Sequence, residues 1–177
     1  MVGNFIADSI SNRDIPALPA SIQDGILLHR KIDSYTDAHP KVREGTKLLH
    51  AKHRKYAPVL IDVYFDFFLS RHWDKFADVP KQDFCQSAYK TLKENIEWMP
   101  PGLKRSLPLM IADNWLMNYG TREGLEFTFE RMSRRVSRPQ LVEGATATLF
   151  ENEAALETIF LDFFPDIVQY VANECPC

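Results

Sequence analysis

The chain contains little glycine, few cysteines and no long hydrophobic run. Only seven of its 177 residues are glycine, which argues against a glycine-rich nucleotide-binding fold and against a turn-rich all-β chain. The longest apolar stretches, such as 57–69, are too short to span a bilayer and carry aspartates. The first residues include neither a basic segment nor an adequate apolar core, so they do not form a secretory signal. We therefore predict a cytoplasmic protein without membrane insertion.

The three cysteines form neither a disulfide framework nor a zinc-ribbon spacing. The terminal Cys175-Pro176-Cys177 is compatible with a soft metal ion, but we favour a frayed tail with spare thiols. Apolar residues make up 45% of the chain and charged residues 25%, which excludes a disordered protein. The length predicts a single domain over residues 1–177.

Positive charge is confined to one part of the chain. All 21 lysines and arginines lie in residues 1–138, whereas 139–177 contain seven acidic residues. The segment 41–55 has a net charge of +5, and we interpret His39, His50 and His53 as exposed companions of this charge. These clusters are either solvated helix faces or a docking surface for an anionic partner. The residues singled out for partner binding are Lys47, Arg54, Lys55, Arg134 and Arg135.

Apolar residues recur at helical spacing along the chain, and no alternating strand pattern is convincing. Ser21 is predicted to cap a helix that ends near Ala38, and Pro40 to begin the next. Pro58 suits the first turn of a helix over 58–72. Further helices are predicted over 81–98, 103–119, 122–136, 139–150 and 153–174. The fold class is therefore all-α, a single helical bundle.

The strongest chemical signal lies in the apolar helix predicted over 57–69. Asp62 and Asp66 are four residues apart in it and share one face. Two carboxylates in apolar surroundings lose hydration and repel each other unless a cation or protonation compensates. They therefore form part of a metal or acid–base site, or they pair with buried arginines such as Arg30 and Arg71.

The preceding helix carries a matching pair of side chains, His29 and Asp33, which are also four residues apart. Asp8 either adds another carboxylate or caps the turn that follows it. A mixed nitrogen and oxygen ligand set suits Mn²⁺, Mg²⁺ or Fe²⁺ better than a thiolate-type zinc site does. The candidate metal ligands are Asp8, His29, Asp33, Asp62 and Asp66.

Arg71 and His72 end the apolar helix, where positive charge interacts favourably with the helix dipole. A functional role is equally open. Arg71, Arg30 or Lys31 would bind a phosphate oxygen, and His72 would transfer a proton. Because carboxylates also accept protons from water, the candidate catalytic residues are Asp33, Asp66, His72, Arg30 and Arg71.

A series of motifs follows in order along the chain. It comprises Gly3-Asn4-Phe5-Ile6-Ala7-Asp8, residues 25–33 with Thr36-Asp37, residues 40–44, 54–58, 62–66 and 68–73, and residues 132–135. Taken in this order, the motifs resemble the acyl carrier protein phosphodiesterase family. The resemblance is good over residues 3–73 and patchy to residue 138.

The resemblance implies an all-α, HD-like phosphohydrolase fold. It implies a hydrolase that removes the 4′-phosphopantetheine arm from the serine of holo acyl carrier protein, with Mn²⁺ as the usual cofactor. It also places the five candidate metal ligands at or near the metal. Acyl carrier proteins are strongly acidic, so the basic segment 41–55 is the docking surface that we expect. No nucleic-acid partner is expected.

The chain departs from the family pattern in two respects. Family members begin with a short apolar segment containing a histidine, whereas this chain starts directly at Met1-Val2-Gly3-Asn4, as though that segment were missing. The sequence also lacks an adjacent His-Asp dipeptide.

Two other functions stay open on the sequence. One is a metal-dependent phosphohydrolase of a nucleotide or another small phosphate ester, which would not need a basic surface. The other is a non-enzymatic helical module that binds an acidic partner, with Asp62 and Asp66 in buried ion pairs.

Overall fold

The computed structural model describes residues 1–174 as eleven α-helices joined by turns and short 3₁₀ segments. No strand occurs within these residues, and the all-α prediction is confirmed. The predicted Cys175-Pro176-Cys177 tail lies outside the described residues. The helices are α1 (Val2–Ile6), α2 (Ala20–Ala38), α3 (Pro40–His53), α4 (Ala57–Arg71), α5 (Trp73–Phe76), α6 (Lys81–Glu94), α7 (Pro101–Ala112), α8 (Trp115–Asn118), α9 (Arg122–Ser133), α10 (Ala145–Glu151) and α11 (Glu153–Glu174).

Proline determines several helix starts. Pro40 and Pro58 occupy the first turns of α3 and α4, where the missing N–H has no helical partner to lose. The predicted cap at Ser21 is wrong, because α2 begins at Ala20 and the residue in the cap position is Pro19. Ser21 lies instead within the first turn of that helix.

Left-handed backbone interrupts two helices that the apolar pattern predicts as continuous. Asn114 adopts φ 48° and separates α7 from α8, so the helix predicted over 103–119 is two helices. Gly144 adopts φ 71° immediately before α10, and the helix predicted over 139–150 therefore begins only at Ala145. Asparagine and glycine are the residues that tolerate this conformation best.

The buried apolar side chains form two clusters. The first is built by α3, α4, α9, α10 and α11 around the fully buried Tyr64, Phe68 and Phe160. The second is built mainly by α1, α2, α6 and α7. The prediction that α4 is central is confirmed, since seven of its fifteen residues belong to the first cluster and two more pack against it. Within residues 1–174, no helix has the length and apolar character needed to cross a membrane.

Two glycines let α1 lie directly against α2. A Cβ atom on Gly3 would stand 2.1 Å from the carbonyl oxygen of Ile22, and one on Gly25 would stand 3.1 Å from the Cα of Gly3. Backbone atoms cannot yield as a flexible side chain can. The close contact brings the 3₁₀ segment Ala7–Ser9, which follows α1, beside α2.

We expect Gly3→Ala to destabilise the fold by about 1–3 kcal/mol, because the methyl group forces the two helix backbones apart. Chemical denaturation of the purified variant measures this loss. Gly102→Ala is the matched control, since a Cβ atom there meets nothing within 4 Å and the substitution leaves stability nearly unchanged. Equal stability of the two variants would contradict the close α1–α2 packing.

Candidate active site

Three ligand-type side chains meet where the 3₁₀ segment Ala7–Ser9 passes α2. His29 Nε2 lies 3.2 Å from Asp8 Oδ1 and 3.2 Å from Asp33 Oδ2. One ligand atom from each residue lies within 4.8 Å of the other two. His29 and Asp33 share a helix face one turn apart, whereas Asp8 is supplied by the α1–α2 packing. We call Asp8, His29 and Asp33 the His29 cluster.

The His29 cluster is open on its carboxylate side. The side chain of His29 is 19% exposed, whereas those of Asp8 and Asp33 are 84% and 52% exposed. Partial burial raises the pKa of Asp33, His29 opposes this effect, and the negative charges of Asp8 and Asp37 add to it. A cation at this position would relieve the repulsion among these carboxylates.

Asp62 on α4 faces the same negative charges. Loss of solvent, followed by the negative charges of Asp37, Asp33 and Asp8, raises its pKa to about 6. Asp62 therefore lies within electrostatic range of the His29 cluster, although its ligand atoms do not belong to the closely spaced group. Its side chain contacts solvent, although the protein atoms around it limit the hydration of the carboxylate.

Asp66 lies one turn further along α4, on the same face as Asp62. We call Asp62 and Asp66 the acidic row of α4. Asp66 is exposed on the surface of α4 rather than buried. Limited hydration of its carboxylate, followed by the charge of Asp62, raises its pKa to about 7, and the Lys81 ammonium opposes this effect. Lys81 donates a hydrogen bond of 3.0 Å to the Met117 carbonyl oxygen. Burial and the charge of Asp66 raise the pKa of Tyr119 to about 12. The predicted site residues do not include Lys81 or Tyr119, because no local pattern links these two residues to α4.

The predicted arginine partners of the α4 aspartates are not observed. Arg71 forms an ion pair with Glu153 of α11, and no ion pair joins Asp62 or Asp66 to an arginine in residues 1–174. Arg30 lines a separate cavity of about 640 Å³ with Ser34 and Tyr170. The alternative in which these aspartates belong to buried ion pairs is therefore wrong.

The other predicted catalytic side chain, His72, contacts α11. Its Nε2 atom lies 2.7 Å from Glu157 Oε1, and its side chain is 17% exposed. Neither Arg71 nor His72 has its hydrogen-bond partner in the acidic row of α4. The structure thus divides the predicted catalytic residues among three places: Asp33 and Asp66 at the acidic site, Arg71 and His72 against α11, and Arg30 at a separate cavity.

The two basic clusters of the sequence meet in space. Lys55 Nζ donates a hydrogen bond of 2.9 Å to Ser137 Oγ, which joins the segment 41–55 to the arginines at 131–138. Lys47 and Arg54 are also exposed, and none of these three cations pairs with a carboxylate in the described part of the chain. Arg134 pairs with Glu130 on α9, whereas Arg135 lines another cavity.

His39 and His53 are not the exposed residues that the sequence predicts. The side chain of His39 is 11% exposed, and its Nε2 atom lies 3.2 Å from Asp166 Oδ2. His53 is more deeply buried. Its side chain is fully buried, with Nδ1 2.7 Å from the Leu141 carbonyl oxygen and Nε2 3.0 Å from Thr148 Oγ1. Burial lowers its pKa, so the ring favours the neutral form. The prediction of exposure is wrong because both partners come from distant parts of the sequence, where no local signal identifies them.

Comparison with known proteins identifies one family. A family model described as acyl carrier protein phosphodiesterase matches residues 1–167. Curated proteins of that name are similar along 97% of this chain and 90% of their own length: 31% identical in Escherichia coli O157:H7, 30% in Shigella boydii serotype 18 and 28% in Enterobacter sp. strain 638. No solved structure matches the chain, so the HD-like fold stays a prediction.

Proposed function

Because the chain belongs to the acyl carrier protein phosphodiesterase family, we propose that it is a hydrolase that releases 4′-phosphopantetheine from holo acyl carrier protein. The observation that carries this proposal is the position of the His29 cluster beside Asp62, within a chain that matches the family model almost throughout. The cytoplasmic location stays a prediction from the sequence.

The His29 cluster is the proposed metal site. It offers one imidazole nitrogen and two carboxylates whose ligand atoms are close enough to share one ion, a donor set that suits Mn²⁺, with Mg²⁺ or Fe²⁺ as alternatives. When bound, such an ion supplies charge neutralisation at the phosphoryl oxygens and a lowered pKa for water. His29 Nε2 is the nitrogen that faces both carboxylates and is therefore the proposed ligand atom.

Asp62 and Asp66 are proposed for proton transfer rather than for metal binding. In hydrolysis the water oxygen bonds to phosphorus, the serine oxygen leaves, one proton leaves the water and one reaches the serine. Asp62, with a pKa of about 6, is mostly ionised at neutral pH and is the carboxylate of α4 whose pKa responds to the cluster. We assign it the proton of the water.

Asp66 is the proposed proton donor to the departing serine oxygen. Its pKa of about 7 keeps a substantial fraction protonated at neutral pH. Two neighbouring carboxyl groups with different pKa values are a common arrangement for an acid and a base in one site. The roles predicted for Arg30, Arg71 and His72 in phosphate binding and proton transfer stay predictions.

One assay tests the proposed function. Purified protein is incubated with Mn²⁺ and holo acyl carrier protein, and mass spectrometry follows conversion of holo to apo protein. The expected result is loss of the 4′-phosphopantetheine mass. Hydrolysis of nucleotides or other small phosphate esters without this conversion would favour the small-substrate alternative. Binding to the carrier protein without any release would favour the non-enzymatic module.

The basic surface yields a separate prediction about docking. Reversal of Lys47, Arg54 and Lys55 to glutamate should lower kcat/KM for holo acyl carrier protein by about tenfold or more at low salt. The loss should shrink at high salt, because ions screen the charges. Thermal stability should change little, since exposed charges contribute little to folding.

The matched control reverses Lys93, Lys104 and Arg105, three exposed cations on α6 and α7. This variant carries the same change in net charge and should keep kcat/KM close to that of the wild type. Steady-state kinetics at several salt concentrations compares the two. Equal losses in both variants would mean that net charge, rather than this surface, affects association.

A further inference from the structure

A cavity that the proposed reaction does not use lies between α8 and α9. Its volume is about 530 Å³, within the range of about 300–1,000 Å³ typical of small-molecule sites. Much of its wall is apolar or aromatic, and the residues of that kind are Trp115, Tyr119, Phe127, Met132 and Val136. Phe127 is 43% exposed, so an apolar surface is open to solvent there.

Tyr119 connects this cavity to the acidic row. It lines the cavity, and the next residue, Gly120, lies against α4: a Cβ atom added there would stand 2.8 Å from the Cβ of Ser70, one turn after Asp66. The charge of Asp66 also raises the pKa of Tyr119. Asp66 in turn interacts with Asp62, which interacts with Asp33. Consecutive side chains in electrostatic range therefore lead from the His29 cluster along α4 to the cavity.

The cavity also contains cations suited to a polar chain. The Arg131 guanidinium lies 3.7 Å from the ring centroid of Trp115 and 5.4 Å from that of Phe127. Within residues 1–174, neither Arg131 nor Arg135 forms an ion pair with a carboxylate. Their N–H groups are therefore free of salt-bridge partners beside an apolar wall.

We infer that this cavity receives the distal part of the pantetheine arm, with its apolar wall around the sulfur and any acyl group bound to it. The inference rests on the proposed function, which places the phosphodiester at the His29 cluster. The arm is a long chain with amide groups and an end that carries either a thiol or an acyl thioester. If the phosphate lies at the His29 cluster, the arm would extend past Asp62 and Asp66 along α4 and end near Tyr119, at the cavity.

The test compares Phe127→Ala with Phe84→Ala. Both phenylalanines are exposed on helices, but Phe84 contacts Trp73 and does not line the cavity. For octanoyl acyl carrier protein, Phe127→Ala should raise KM about tenfold, whereas Phe84→Ala should not change it. For holo acyl carrier protein, which carries no acyl group, the rise in KM should be much smaller.

A binding measurement accompanies the kinetics. Calorimetry with S-octanoyl pantetheine, which carries neither phosphate nor protein, should show binding to the wild type and about tenfold weaker binding to Phe127→Ala. Thr128→Phe, which places a larger side chain in the cavity, should weaken this binding as well. Circular dichroism confirms that each variant is folded.

The outcomes separate the two proposals. Unchanged KM and unchanged calorimetric binding in Phe127→Ala would overturn the assignment of the cavity. An equal rise in KM for the holo and octanoyl substrates would also overturn it and would favour contact with the carrier protein itself. Failure of the wild type to release the arm would overturn the proposed function instead, because the calorimetry requires no turnover.

Discussion

Replacement of His29 by alanine should remove Mn²⁺ binding and reduce release of the phosphopantetheine arm by at least about 100-fold. Loss of a residue that only orients a ligand already costs about 10–100-fold in metal affinity or activity, and His29 supplies the single nitrogen of the cluster. Asp33→Asn should have a similar effect, because a neutral amide is a much weaker ligand for a hard cation.

Metal content by elemental analysis and Mn²⁺ titration by electron paramagnetic resonance measure the first effect, and mass spectrometry of the carrier protein measures the second. His50→Ala is the matched control, since His50 is an exposed histidine of α3 outside the cluster. It should keep both metal binding and turnover. Full Mn²⁺ binding by the His29→Ala variant would exclude the His29 cluster as the metal site.

Asp62→Asn should lower turnover by about 10²–10⁴-fold while leaving Mn²⁺ affinity within a few-fold of the wild type. The amide keeps the size of the side chain but cannot accept a proton from water. In the wild type, kcat/KM should rise with pH through about 6, where Asp62 ionises. That rise should be absent from the residual activity of the variant.

Loss of both metal binding and turnover in Asp62→Asn would instead assign Asp62 to the metal. Asp74→Asn, on the exposed surface of α5, is the control and should change neither quantity. Metal titration and a pH–rate profile for each of the three proteins distinguish these outcomes.

The raised pKa values also predict how stability depends on pH. In the folded protein the pKa values of Asp62 and Asp66 are about 6 and about 7, above their ordinary value of 3.8. Between these limits the folded state holds more protons than the unfolded state, so this contribution to stability is present at low pH and is lost as the pH rises through about 7. Both side chains contact solvent, which makes this contribution to the free energy of unfolding smaller.

Asp66→Asn removes the penalty of ionising a crowded carboxyl group. Without metal, its melting temperature should therefore exceed that of the wild type by about 2–4 °C near pH 8, and the difference should vanish near pH 4. The contribution of His53 to stability has the opposite pH dependence, because burial lowers the pKa of this residue. Its contribution is common to both proteins and cancels in the difference. A variant less stable than the wild type at high pH would indicate a buried ion pair.

The sequence by itself determined the features that depend on neighbouring residues. Helical periodicity predicts α2, α3 and α4 closely, because proline placement and the spacing of apolar residues act within a few turns. The same local geometry places His29 with Asp33, and Asp62 with Asp66, on shared helix faces. The ordered motifs indicate the family, which the matched residues 1–167 confirm.

Tertiary structure alone decided which of these faces meet. Asp8 reaches His29 because Gly3 and Gly25 allow α1 to lie against α2. Arg71 is held by Glu153 on α11, more than eighty residues away in sequence, although it ends the same helix as Asp66. The cavity between α8 and α9 likewise depends on the packing of separate helices. Periodicity specifies the buried face of a helix but not its partner, because that choice depends on the packing of side chains far apart in the chain.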